Sequence, residues 1–222
     1  MNINEKRIFK NQLYEQFARI GKALASPHRL ELLDVLAQCE RTVEALAQET
    51  GMSVANASQH LQVLRAARLV ETRREGTSIF YRLASEGVST LWLSLRAVGE
   101  AHLAEIDRVV ETFLQDRAQW QPITAEALLE ELRSDQVMLL DVRPAEEYQA
   151  GHLPQALSIP VAELEARLAE VPLDKEIVAY CRGPYCVFAD EAVALLRACG
   201  YRARRLEEGV ADWRKLALPV EV

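Results

Sequence analysis

Long hydrophobic runs are missing from this 222-residue sequence. No stretch approaches the roughly 18 consecutive apolar residues that a helix needs to span a bilayer. The opening segment, MNINEKRIFKNQLYEQF, is charged and interrupted, unlike a secretory signal peptide. These absences exclude a membrane helix and predict a cytoplasmic protein. Cysteine is scarce as well: four residues, Cys39, Cys181, Cys186 and Cys199, are too few and too unevenly placed for a disulfide scaffold. With no CxxC pair there is no zinc site of that kind, and neither a metal nor a cofactor is expected. Internal repeats and low-complexity tracts are also lacking.

What is there fits an ordinary globular protein, 50% hydrophobic and 27% charged, long enough for two small cores. The net charge of −7 argues against indiscriminate binding to nucleic acid. The charge is uneven, however. Between Ser53 and Arg82 five arginines (Arg65, Arg68, Arg73, Arg74, Arg82) face two glutamates (Glu71, Glu75), a local excess of three positive charges that leaves −10 for the remainder. A basic patch on an acidic chain is a focused electrostatic footprint.

Apolar residues recur at steps of three and four from Glu5 to about Ala25, the signature of an amphipathic helix. Ser26 and Pro27 read as the cap and first turn of the next helix, HRLELLDVLAQ. Thr42 opens a short helix closed by Gly51, and Ser53 caps VANASQHLQVLRAARL. VETRR and TSIFYRLA then flank Glu75 and Gly76 as a β-hairpin. A long helix from about Val88 to Leu114 carries an apolar stripe wide enough to predict pairing with a second copy of the chain, together with the first helix. The pattern lapses in QDRAQWQP, which sets domains at 1–117 and 122–222. Beyond it strands and helices alternate: AEALLEELR, VMLLDV, PAEEYQA, ALSI, AELEARLAEV, EIVAYC, a loop, VFADEAVALLRACG, RARRLE and VADWRKLA. That order predicts a small α/β domain with a parallel sheet covered on both faces, behind an α+β DNA-reading domain.

The run Ile177 to Tyr180 delivers Cys181 into the loop CRGPYC, and a helix starts directly after it. A thiol at a strand end, beside a helix N-terminus, meets unpaired backbone N–H groups and the positive end of the macrodipole. The thiolate, the form that reacts, is therefore expected at Cys181. Gly183 and Pro184 let the loop curl, with Tyr185 beside them, and Arg182 is expected to add a mobile cation that draws in an anionic donor. Cys186 sets a second thiol across the same small ring, either as a resolving sulfur or as a small packing residue. Near the start, Asn56, Ser58, Gln59 and His60 lie toward the N-terminal end of the Ser53-capped helix, where they can reach base edges or phosphates.

The run GMSVANASQHLQVLRAARLV, with TVEALAQET before it and RREGTSIFYRL after it, resembles the winged helix-turn-helix of the ArsR/SmtB family over nearly all of the first 115 residues. The resemblance implies a dimeric repressor of a double-stranded DNA operator, with Arg73, Arg74 and Thr77 on the wing against the backbone. Metal sensors of that family carry a paired-cysteine motif or a histidine and carboxylate set; here only Cys39, in QCERTVEAL, stands near the first position, so a redox role or a packed thiol are its two readings. DVRPAEEYQAGHLPQALSIP, CRGPYC and GYRARRLEEGVADW resemble the rhodanese superfamily from about Thr124 to Val222. That implies a persulfide on Cys181, taken from a small sulfur species and passed to a thiol acceptor, with Asp141, Arg143, Glu147 and His152 as architectural support. The expectation is a repressor responsive to reactive sulfur, with a sulfurtransferase that binds DNA constitutively, or a repressor responsive to metal or arsenic through Cys39, as the alternatives.

Overall fold

The computed structural model describes residues 1–114, 117, 122–133 and 137–222, which form two compact units, Met1–Ser94 and Leu95–Val222. The boundary expected in QDRAQWQP falls largely on residues 115, 116 and 118–121, outside the described residues.

In the first unit, α1 (Ile3–Leu24) opens on a capping box between Asn2 and Glu5, and Pro27 starts α2 (Pro27–Leu36). Ser26 occupies the cap position there without making a side-chain cap bond. A two-residue strand, β1 (Arg41–Thr42), leads into α3 (Val43–Glu49), where the Thr42 hydroxyl accepts the Ala45 N–H. The strand is too short to leave a period in the sequence. Ser53 accepts the Asn56 N–H at 3.3 Å and so starts α4 (Val54–Ala66). The hairpin of β2 (Val70–Glu75) and β3 (Ser78–Leu83) turns at Gly76, whose φ of 59° lies in the left-handed region that glycine enters without strain. Strand order is β1-β3-β2, antiparallel throughout. Leu32, Leu33, Leu46, Leu61 and Leu64 fill the core beneath it.

The long helix expected from Val88 to Leu114 is two helices, α5 (Glu86–His102) and α6 (Ala104–Phe113), parted at Leu103. The packing explains the break. A side chain at Gly99 would crowd Ile106 Cδ1, so the missing Cβ is what lets α6 turn back onto α5 with Ile106 against Gly99.

The second unit continues with α7 (Ala125–Arg133), β4 (Val137–Asp141), α8 (Ala145–Ala150), β5 (Leu157–Ser158), α9 (Val161–Leu164), β6 (Glu176–Tyr180), α10 (Phe188–Ala198), β7 (Ala203–Arg205) and α11 (Val210–Lys215). All pairings are parallel, in the order β5-β4-β6-β7. Alternation along the two central strands separates two cores. Leu140, Ile177, Ala179 and Cys181 pack on one face with α10, while Leu139, Val178 and Tyr180 pack on the other with Leu128 and Trp213. AELEARLAEV is only the short α9 and a 3₁₀ turn at Leu168–Glu170, because Arg167 leaves helical geometry and Pro172 follows Val171.

Candidate functional site

Cys181 follows the last residue of β6, and Val187 leads from the loop into α10, so strand end and helix start fix the two ends of CRGPYC. Within the loop the Cys186 N–H closes a turn on the Gly183 carbonyl at 3.3 Å, and Gly183 sits at φ 142°, a conformation that favours glycine. A second glycine is needed from outside. Any side chain at Gly209 would overlap the Arg182 carbonyl, so the segment before α11 rests directly on the loop backbone. Gly209 is pinned in turn by its N–H to the Asp212 carboxylate at 3.1 Å.

The two thiols of the loop are brought together. The Cys181 thiol reaches the Cys186 carbonyl at 3.5 Å, and the two side chains are hydrogen-bonded to one another. Their environments differ. Cys181 is 1% exposed, packed among Val142, Ala179 and Ala189, and burial pushes its thiol well above the usual cysteine range. Cys186 is half-buried, and its thiol is held below that range by the bond from Cys181, with help from the Arg182 and Phe188 backbone N–H groups. Burial thus opposes the resting thiolate expected at Cys181, while backbone N–H groups reach both sulfurs, that of Ala189 toward Cys181 and those of Arg182 and Phe188 toward Cys186.

Arg182 is not the mobile cation expected. Its Nε lies 3.1 Å from both oxygens of Glu147 and a terminal nitrogen lies 2.6 Å from one of them, while its guanidinium covers the Phe188 ring. Tyr185 is 42% exposed and donates its hydroxyl to Glu100 at 2.9 Å; burial and that carboxylate push its pKa up to about 12. Pro184 offers its carbonyl to Arg205 at 3.0 Å and to Arg117. Neither Arg117 nor Arg205 carried a sequence signal for this role, because each reaches the loop across the fold.

The DVRPAEEYQAGH block is scaffold. Asp141 and Arg143, both 0% exposed in their side chains, pair at 2.6 Å, and Arg143 also donates to the Gly151 carbonyl. His152 stacks on Tyr148 at 3.7 Å and approaches Glu221, so the block holds no triad.

On the first unit, Asn56, Ser58 and Gln59 occupy the first turns of α4, with Gln59 exposed. His60 is half-buried, its ring 5.2 Å from that of His28, and its pKa is lowered by burial and by His28. Arg74 and Thr77 are exposed on the hairpin. Arg73 is engaged instead: it pairs with Glu40, bonds Glu75 at 2.5 Å and lies over Phe80. Cys39, which is in no disulfide, is half-buried next to Glu40. Among the described residues no group of three or more histidine, cysteine, aspartate and glutamate side chains is placed to hold a metal ion, and no helix is long and apolar enough to cross a membrane.

Residues 26–72 match the family described as bacterial regulatory protein, arsR family, and residues 124–216 match the rhodanese-like domain. The HTH-type transcriptional regulator Rv0324 of Mycobacterium tuberculosis is 48% identical over 212 residues, 96% of this chain and 93% of its own. A protein named sulfurtransferase from Allochromatium vinosum is 33% identical over 100 residues, 44% of this chain and 92% of its own. The solution structure of a homodimeric winged helix-turn-helix DNA-binding domain, fragment 1–100 of Mb0332 from Mycobacterium bovis, is 51% identical, covering 42% of this chain and 87% of that one, with a TM-score of 0.41. Because the likeness to Rv0324 runs through both units rather than one, the chain belongs to the arsR family of bacterial regulatory proteins, a transcriptional regulator with a rhodanese-like domain in its C-terminal part.

Proposed function

We propose that this regulator is a homodimeric repressor that responds to reactive sulfur at the Cys181–Cys186 pair. The observation that carries the reading is the pair itself: two thiols at the two ends of one short loop, with the Cys181 thiol donating to the Cys186 carbonyl at 3.5 Å. A thiolate of the pair takes a sulfur atom to become a persulfide, and the second thiol then attacks the inner sulfur. The products are a disulfide and hydrogen sulfide, so the incoming sulfane sulfur is the oxidant. Asn56, Ser58, Gln59 and His60 on α4, with Arg73, Arg74 and Thr77 on the hairpin, form the operator-reading surface, and the exposed apolar residues of α1 support the dimer. The double-stranded operator and a thiol acceptor are the remaining partners.

The test is operator affinity before and after polysulfide, in wild type, Cys181→Ser and Cys186→Ser. Wild type is expected to lose about tenfold or more in affinity, the equivalent of roughly 1.4 kcal/mol of coupling, and both variants to stay unchanged. Equal affinities in every sample reject the coupling. The likeness to a sulfurtransferase over 100 residues favours a second reading, sulfur transfer with operator binding indifferent to the loop. That reading predicts catalytic turnover of a sulfur donor by wild type, lost in Cys181→Ser, alongside unchanged operator affinity.

A further inference from the structure

The cations that surround the CRGPYC loop are already matched by carboxylates. Arg182 is held in a two-pronged pair by Glu147, which is fully buried. Arg205 lies 3.1 Å from Asp190 and donates from one terminal nitrogen to the loop carbonyls of Gly183, at 2.8 Å, and Pro184, at 3.0 Å. Arg117 pairs with the same Asp190 at 2.6 Å. Arg96, whose terminal nitrogen approaches Gly183, pairs with Asp212 and lies 3.4 Å from Glu100, the carboxylate that takes the Tyr185 hydroxyl. Four guanidiniums therefore meet four carboxylates around the two sulfurs, and the region is balanced in charge.

That balance bears on what the pair reacts with. A doubly charged donor such as thiosulfate gains from a site with surplus positive charge. Here it would have to pull Arg182 from Glu147, taking from a fully buried carboxylate the guanidinium that holds it by two prongs, which is the unfavourable way to break such a pair. A donor whose transferable sulfur rides on a thiol makes no such demand. The mouth of the loop suits it too, since Tyr185 and Val187 are the exposed side chains there.

Resting on the sulfur chemistry proposed above, we propose that the donor is an organic persulfide, and that Glu147 sets this preference by holding Arg182. A thiolate of the Cys181–Cys186 pair attacks the outer sulfur of R–S–SH. A sulfur–sulfur bond to the protein forms, the bond to R–S breaks, and its electron pair leaves with the thiolate R–S⁻, so no further oxidant or reductant takes part.

The experiment is single-turnover sulfur loading of the full-length chain, followed by intact mass, with cysteine persulfide and with thiosulfate over a range of ionic strength, in wild type and Glu147→Gln. Wild type is expected to load from cysteine persulfide about tenfold faster or more, with a thiosulfate rate that is flat in salt. Glu147→Gln is expected to raise the thiosulfate rate about tenfold, a gain that fades as salt screens the released guanidinium. Thiosulfate loading of wild type as fast as persulfide loading overturns the preference while leaving the sulfur chemistry intact. So does a wild-type thiosulfate rate that falls steeply with salt, a readout that needs no variant if Glu147→Gln fails to fold. Loading from neither donor overturns the sulfur chemistry and this preference with it.

Discussion

At the scale of single residues, the proton shared by two sulfurs decides the chemistry. Burial disfavours the charged form of Cys181, whereas Cys186 receives a hydrogen bond from that same thiol and from two backbone N–H groups. Removing the donor removes the stabilisation, so Cys181→Ser, whose shorter hydroxyl sits farther from Cys186, raises the Cys186 pKa and lowers the thiolate fraction at neutral pH. Alkylation by iodoacetamide against pH tests this: wild type is expected to show one thiol titrating below the ordinary cysteine range, Cys181→Ser to titrate higher, and Cys186→Ser to leave no early titration. An early titration that survives in Cys186→Ser would assign the thiolate to Cys181. The sequence made the loop and both sulfurs legible, but not their burial, because that rests on the core that Val142, Ala179 and Ala189 help to fill, which encloses Cys181 and meets Cys186 only at its edge. The neighbouring Asp141–Arg143 pair has no exposure at all, so Asp141→Ala, which takes from a buried guanidinium the carboxylate that pairs with it, is expected to cost about 3–5 kcal/mol in denaturant unfolding.

At the scale of elements, short contacts made by glycines place the loop. Gly209 lies against the Arg182 carbonyl, and the segment it begins is anchored by Asp212. Gly209→Ala must push that backbone away, and a displacement of about 1 Å in a reacting group is enough to cost roughly a hundredfold in rate. Sulfur loading is expected to fall by that order and the melting temperature to drop with it, because the overlap is with backbone; unchanged loading would show that the loop tolerates the shift. Strands, capping residues and the hairpin were legible because each depends on local periodicity and turn chemistry. The break at Leu103 was not, since it depends on Ile106 finding the notch at Gly99. The wing was legible in outline only: Arg73 carries the expected charge, but Glu40, remote in sequence, occupies it. Glu40→Gln together with Glu75→Gln frees that guanidinium for a phosphate, so operator binding is expected to tighten and its slope against log salt to steepen by about 0.9, the value of one phosphate contact. An unchanged slope would mean that Arg73 stays on the hairpin when DNA binds.

At the scale of the whole molecule, an acidic chain of net charge −7 has to hold a DNA duplex with one basic patch. A single patch of that size gives few phosphate contacts, and two copies of the chain double them on a two-fold symmetric operator. The proposed dimer has its means of pairing in α1, where Ile8, Phe9, Leu13, Tyr14 and Phe17 are all exposed, Phe9 by 56% and Phe17 by 60%. Apolar side chains gathered on one helix in this way mark a surface that another protein surface covers. Their period was visible in the sequence, while the absence of a covering partner within the unit became visible only in the fold. Placing a charge in that face, as in Phe9→Glu with Phe17→Glu, opposes pairing through two desolvated carboxylates per subunit without touching α4 or the hairpin. Light scattering is expected to find the double variant as a monomer with an unchanged circular dichroism spectrum, and its operator affinity is expected to drop by about 100-fold or more, because each half-site must then be bound independently. A double variant that remains dimeric would move the pairing surface away from α1, and a monomer that retains full operator affinity would show that one winged helix is enough.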